Sequence, residues 1–319
     1  MNSAPPTRIL VLRGGAIGDF ILTVPVLTAL RRRWPHACLT LVAQPRLCRL
    51  AAACGLADAT VSLDSAAVSQ LQVPGSGGRP ELEPMRGHDL AVCLLRDPDG
   101  VVRANLAAAG CERVLYRDPV PVTGHAADYL AGVLAPLGIA PSPPCVPELR
   151  LRDDGDGAPS PLPGRLRRPV ILLHPGSGSP RKNWPAERFA ELAARLAAEE
   201  AVTPVFITGE ADAVAAEQLA RLVPDIARLP ACDLPQLAGA LAAADAFVGN
   251  DAGITHIAAA LGVPTAALFG PTDPAVWAPR GPRVQILSAG DFPSHLSALS
   301  VDTVLTAVRA LSRAGKASS

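Results

Sequence analysis

Short apolar runs alternate with stretches of helical period along this chain, and the series occurs twice. Thr7–Leu12 (TRILVL), Cys38–Ala43 (CLTLVA), Thr60–Leu63, Asp89–Leu95 (DLAVCLL) and Arg113–Tyr116 are brief and largely aliphatic, as strands buried on both faces are. Between and after them lie amphipathic stretches, from Phe20 to about Trp34, then Leu47–Ala53, Arg103–Ala109 and His125–Leu137, with Gly138 as a stop. Pro25 is expected to kink the first of these helices. Val73–Met85 carries Pro74, Gly75, Gly77, Gly78, Pro80 and Pro84 and reads as a mobile surface loop. Strand and helix in alternation predict a parallel sheet with crossover helices.

Asp153–Pro169 (DDGDGAPSPLPGRLRRP) has no apolar period and reads as a linker, leaving 1–152 and 170–319 as two α/β domains. The second series places strands at Val170–Leu173, Pro204–Thr208, Ala246–Gly249, Val263–Phe269 and Val284–Leu287. Helices are expected at Ala186–Glu200, Ala213–Leu222, Leu234–Ala244, Ile254–Leu261 and Val301–Ser312.

Composition narrows the function. At 319 residues and 49% hydrophobic, the chain can bury two ordinary cores. A net charge of zero and 3% aromatic residues argue against nucleic acid held by a basic field or by stacking. No apolar run reaches the ~18–20 residues of a membrane span. The opening MNSAPPTR lacks a basic segment followed by an apolar one, so a cytoplasmic protein is expected. The seven cysteines are scattered without a CxxC pair, which predicts free thiols and no metal site.

In an open α/β sheet ligands bind at the carboxyl ends of strands. Asn250-Asp251-Ala252-Gly253 follows one predicted strand there and feeds a helix, whose N-terminal amides favour an anion such as a phosphate ester. Asp251 would accept from sugar hydroxyls or cap the helix; Thr255 would cap or donate to phosphate; His256 is in reach of the same ligand. His174–Pro185 (HPGSGSPRKNWP) is the second signal. Gly176 and Gly178 allow close backbone approach, Ser177 adds a hydroxyl, and Arg181 and Lys182 can neutralise phosphate oxygens. Either Glu210 or Asp212, after the Pro204–Thr208 strand, suits ribose hydroxyls.

In the first half, Arg13–Asp19 (RGGAIGD) is a glycine turn opening a helix. Its Gly14, Gly15 and Gly18 are spaced GGxxG rather than GxGxxG, and no acid closes the second strand, so a nicotinamide-dependent oxidoreductase is the weaker reading. Asp19 is either a helix-start acid that complements the dipole or a general base at the lip of a cleft. Arg96 ends the Asp89–Leu95 strand. Two such domains suit transfer of a group from an activated phosphate donor to an acceptor hydroxyl.

Three segments, RGGAIGDFILTVPVLTALRRRWP, HPGSGSPRKNWP and NDAGITHIAAALGVPTAALFGPTDP, resemble the signatures of glycosyltransferase family 9, the ADP-heptose:lipopolysaccharide heptosyltransferases and their relatives. The resemblance implies a GT-B fold, two Rossmann-like domains facing across a cleft, with a terminal helix crossing back to the first. It implies inverting transfer without a metal or cofactor, from a nucleotide sugar to a glycan or glycolipid acceptor. Asp19 matches the family's base, Lys182 its phosphate-binding lysine, and Asp251, Gly253 and His256 the segment holding the ADP-sugar. Gly15, Gly18 and Arg96 then fall on the acceptor side. Ala252 departs from the family's Ser or Thr, which leaves open a repurposed relative that binds a nucleotide sugar and transfers nothing, or Thr255 as a replacement hydroxyl. Arg31, Arg32, Arg33, Arg46 and Arg49 form either a solvated face or a peripheral contact with anionic lipid at the cytoplasmic face of the inner membrane.

Overall fold

The computed structural model describes residues 4–140, 142–152, 161–162, 166–199, 202–209, 212–290 and 293–316, with side chains as far as 311. Its contacts fall into two units, Met1–Asp154 and Gly155–Ser319. Most of the stretch read as a linker lies outside the described residues.

The first unit is built on five parallel strands, β1 (Arg8–Arg13), β2 (Cys38–Ala43), β3 (Ala59–Ser62), β4 (Leu90–Leu94) and β5 (Arg113–Tyr116). Their order is β3-β2-β1-β4-β5, so the chain winds outward one way from β1, then returns and winds the other way from β4. β1 is central, and Ile9 to Leu12 are at most 1% exposed because both faces are covered. The crossover helices are α1 (Ile17–Ile21), α2 (Val24–Arg33), α3 (Pro45–Ala53), α4 (Ala66–Leu71), α5 (Val101–Ala108) and α6 (Ala126–Ala131).

Two expectations change here. The helix expected from Phe20 to Trp34 is two helices, broken at Leu22-Thr23, and Pro25 stands in the first turn of α2. Proline has no N–H to donate, and its ring clashes with the carbonyl four residues back, so the helix restarts rather than bends. Val73–Met85, expected as a mobile loop, is pinned at several points. The Asn105 amide on α5 donates to Leu71 O and Val73 O, at 3.0 and 2.7 Å. A Cβ on Gly77 would lie 2.3 Å from the Ala108 methyl, so the glycine lets the segment close on α5. Pro80–Met85 then forms a 3₁₀ turn whose Leu82 and Met85 are fully buried in the core with Leu10, Leu12, Leu71 and Leu106. Proline and glycine dominate the composition, and two apolar side chains anchor the segment.

The second unit repeats the plan with β6 (Val170–His174), β7 (Thr203–Phe206), β8 (Ala227–Arg228), β9 (Ala246–Asn250), β10 (Thr265–Leu268) and β11 (Val284–Leu287). All pair in parallel, in the order β11-β10-β9-β6-β7-β8. β8, two residues long, carries no periodic signal and was not expected from the pattern. The helices are α7 (Ala186–Glu199), α8 (Ala213–Leu222), α9 (Leu234–Ala242), α10 (Gly253–Ala260), α11 (Pro274–Trp277) and α12 (Val301–Lys316). Val301, Val304, Leu305, Ala307 and Val308 of α12 are buried in this unit's own core, with Phe189, Leu192, Val248 and Leu268. Arg195 on α7 reaches Asp302 at 2.7 Å alongside.

His88, just before β4, is 1% exposed, with Nδ1 3.0 Å from Met85 O and Nε2 3.2 Å from Thr40 Oγ1. Burial lowers its pKa from the ordinary 6.5. A histidine with a lowered folded pKa contributes stability above the unfolded value that is lost as pH falls through the folded one. Thermal midpoints should therefore drop as pH falls below about 6.5, and His88→Gln should flatten that slope even if its midpoint at pH 7.5 is lower. Equal slopes in the two proteins would refute the assignment.

Candidate functional site

The second unit's crevice lies where β6 and β9 run side by side, with His174 in register with Gly249. From their carboxyl ends leave the two loops singled out in the sequence. Asn250, the last residue of β9, is fully buried and joins them. Its Nδ2 donates to Pro175 O at 2.8 Å, and its Oδ1 accepts from Trp184 N at 3.0 Å. One amide thus holds both ends of the His174–Pro185 loop. Trp184 is 1% exposed, packs edge-on against Phe189, and donates Nε1–H to Leu299 O at 3.0 Å.

Held this way, the loop presents Lys182 at the end of a 3₁₀ turn, Pro180–Lys182. Lys182 Nζ lies 2.7 Å from Asp251 Oδ2; the lysine side chain is 33% exposed and the aspartate 8%. Asp251 therefore pairs with the lysine and does not cap α10. The N-cap position of α10 is Ala252, which has no side chain able to cover the first-turn amides. Ala252 and Gly253 are part-exposed, and Asp251 holds the Lys182 ammonium beside this helix start, a setting that favours an anion.

Gly176 is required by its neighbour. A Cβ there would fall 1.6 Å from Asp212 Oδ1. Asp212, 8% exposed, accepts through Oδ2 from Gly209 N at 3.0 Å and lies 3.2 Å from His174 Nε2. Burial pushes the Asp212 carboxyl up, but the His174 and Gly209 interactions outweigh it and hold it below the ordinary value. Glu210, its rival for the ribose, lies outside the described residues.

Three predicted residues have duties inside the protein. The Thr255 hydroxyl is fully buried and donates to Asn250 O at 2.5 Å, so its one proton is spent and it does not replace the hydroxyl absent at Ala252. Ser177 Oγ lies 2.6 Å from both Ser179 O and Asn183 Oδ1, a turn within the loop. His256 is 5% exposed on the inner side of α10.

The first unit has its own crevice between β1 and β4. Gly15 takes φ +92°, and Gln44, at the end of β2, donates to its carbonyl at 2.8 Å. A Cβ on Gly15 would sit 2.6 Å from Asp19 Oδ2, so glycine makes room for the carboxylate. Asp19, third residue of α1, accepts from Ala16 N at 2.8 Å and from Arg13 Nη2 at 3.2 Å, with its side chain 31% exposed. The capping role and the exposed carboxylate thus coexist. Gly18 lies inside α1, its carbonyl accepting from Leu22 N, and Arg96 is exposed after β4. The inner side of this glycine turn carries a carboxylate where a dinucleotide fold places its diphosphate, which disfavours a nicotinamide cofactor. Among the described residues, no three His, Cys, Asp or Glu side chains are grouped to hold a metal ion.

Asn250, His174 and Arg13 were not picked out from the sequence as site residues. Each is a polar residue closing an otherwise apolar strand, and a polar group buried there must find partners.

Comparison with known proteins follows the same outline. Residues 139–300 match the model of glycosyltransferase family 9 (heptosyltransferase). Lipopolysaccharide heptosyltransferase 1 of Pseudomonas aeruginosa is 37% identical over 124 residues, 39% of this chain and 34% of the relative. Lipopolysaccharide heptosyltransferase 2 of Salmonella typhimurium is 30% identical over 187 residues, 55% of this chain and 53% of the relative. The chain thus spans about a third to a half of the length of these relatives. The solved structure of E. coli ADP-heptose lps heptosyltransferase II superposes with a TM-score of 0.80, covering 97% of this chain and 99% of that one at 21% identity. E. coli heptosyltransferase WaaC with ADP gives 0.72, at 18% identity over 95% and 99%. The fold is accordingly the GT-B class of two parallel-sheet α/β domains.

Replacing Asn250 with alanine leaves Trp184 N–H and Pro175 C=O buried without this partner, so a loss of about 2–4 kcal/mol is expected in denaturant unfolding. A loss under about 0.5 kcal/mol, the range of an ordinary surface change, would show that the amide is not the latch.

Proposed function

Because the chain belongs to glycosyltransferase family 9, we propose that it moves heptose, or a related sugar, from an ADP-sugar to an acceptor hydroxyl in lipopolysaccharide core assembly, inverting the anomeric carbon without a metal. The observation that carries this is Lys182 beside the uncapped start of α10, a cation and free-facing amides together at the switch point of a nucleotide-binding sheet.

The chemistry runs as one displacement. An acceptor O–H gives its proton to the Asp19 carboxylate as its oxygen attacks the anomeric carbon. The bond from that carbon to the diphosphate breaks on the opposite side, and ADP leaves with the electron pair. Charge grows on the leaving phosphate, where Lys182 and the α10 amides act. Lys182 is paired with Asp251, and a bound diphosphate offers it a second anion. Asp251 then accepts from sugar hydroxyls, and either Glu210 or Asp212 from the ribose. Gly15, Gly18 and Arg96 border the acceptor hydroxyl's approach to Asp19. The acceptor is proposed to be a glycan or glycolipid, reached from the cytoplasm with peripheral contact at the inner membrane. Arg32 and Arg33, exposed on the last turn of α2, support that contact, while Arg31 is engaged with Asp58 at 2.6 Å. No helix among the described residues is long and apolar enough to cross a membrane. Ala252 is the one feature favouring the second reading, a relative that binds the nucleotide sugar without transferring it.

Calorimetric titration with ADP, ADP-heptose, UDP, UDP-GlcNAc, GDP-mannose and NAD, with no metal added, should show binding of ADP and ADP-heptose alone. Another nucleotide's preference would change the donor, and binding of none would overturn the proposal. Lys182→Ala should weaken ADP binding by about tenfold or more. Asp19→Asn should lower transfer by about 10²–10⁴-fold while leaving the ADP affinity within twofold. Unimpaired transfer by Asp19→Asn would remove the base; donor binding without any transfer by the wild type would select the second reading.

A further inference from the structure

Arg13 closes β1 with its side chain 2% exposed. Its guanidinium makes three contacts: Nη2 to Asp19 Oδ1 at 3.2 Å, Nε to the Asp19 main-chain oxygen at 3.2 Å, and Nη1 to Leu94 O at 3.4 Å. Two grip one residue by its side chain and its backbone, and the third ties that residue to the end of β4. We infer that Arg13 is the positioning residue of the transfer base: it fixes the Asp19 carboxylate at the β1–β4 crevice. The inference rests on the reading of Asp19 as the base.

The argument turns on burial. An exposed ion pair contributes little and its arginine is replaceable. A buried guanidinium beside one carboxylate is different, because neutralising the partner leaves an uncompensated charge in a poorly solvated place. Burial lowers the Arg13 pKa and the Asp19 charge offsets only part of that, so the buried arginine depends on its partner's charge. When Asp19 takes the acceptor's proton, Arg13 loses its counter-charge. The surroundings of the pair contribute polar contacts, and the Arg46 guanidinium stands one side chain away, donating to Gln44 Oε1 at 3.0 Å. β2 presents the Gln44 amide to Gly15 O, and α2 follows Thr23, whose hydroxyl donates to Asp19 O at 2.9 Å. β4 presents the Leu94 carbonyl, and Leu95 packs 3.3 Å from where a Gly14 Cβ would be. Ala16 N–H holds Oδ2 and, among the described residues, Arg13 is the donor to Oδ1.

The test uses the full chain and reads ADP release from ADP-heptose with a lipopolysaccharide-core acceptor, alongside calorimetric ADP binding. Arg13→Met should lower kcat by about 10²-fold, the scale of a misplaced catalytic group, with ADP affinity and acceptor KM within about threefold. Arg13→Lys, which keeps the charge and is the variant to use if the methionine form does not fold, should restore at least part of that loss. The loss should vanish in an Asp19→Asn background, since Arg13 acts through Asp19. Should Asp19→Asn abolish transfer while both Arg13 variants keep kcat within twofold, this inference fails and the base assignment stands. An equal loss from Arg13→Met in the Asp19→Asn background would also overturn it, because the arginine would then act elsewhere. If Asp19→Asn transfers normally, the reading beneath both fails.

Discussion

Each unit is organised by a reversal of strand order. Right-handed crossovers force the helices leaving β1 and β4 to opposite faces of the first sheet, and those leaving β6 and β9 to opposite faces of the second. Between such strands no helix covers the carboxyl ends, and the loops part to leave a crevice. Asp19 stands at the first of these places, and Lys182 and Asp251 at the second. The fold supplies the openings; the side chains at the strand ends decide what each opening holds.

The two crevices use the same pair of charges with opposite burial. In the first unit the cation is hidden and the carboxylate faces outward, at 2% against 31% exposure. In the second the carboxylate is hidden and the cation faces outward, at 8% against 33%. In both, the buried member orients the exposed one. In the proposed roles, the outward carboxylate meets a hydroxyl and the outward cation meets an anion. Because each pair is close to neutral, the chain's zero net charge hides both sites.

The strands and most helices were legible because aliphatic runs and helical periods record burial directly, as in TRILVL and CLTLVA. The loops around Lys182 and Asp251 were legible because glycines, cations and an acid gather at strand ends. What escaped the sequence depends on contacts between distant residues. Asn250 reads as a loop residue until Pro175 and Trp184 are seen on its amide. Thr255 reads as a free hydroxyl until Asn250 O is found beside it. Val73–Met85 reads as mobile because the two side chains that anchor it, Leu82 and Met85, are outnumbered by proline and glycine. Asp19 shows why the two kinds of reading need not exclude each other: the same carboxylate caps its helix turn and faces solvent.

Trp184 gives the second crevice an optical property. Its indole is among the largest fully buried side chains, in a dry pocket with Phe189, and it sits two residues from Lys182 on a segment latched at its own amide. Indole emission reports the polarity and motion of its surroundings. Of the chain's three tryptophans, Trp184 combines near-complete burial with closeness to the phosphate anchor. Occupancy of the crevice should therefore be visible in the intrinsic fluorescence of the unlabelled protein, with no dye and no substituted residue.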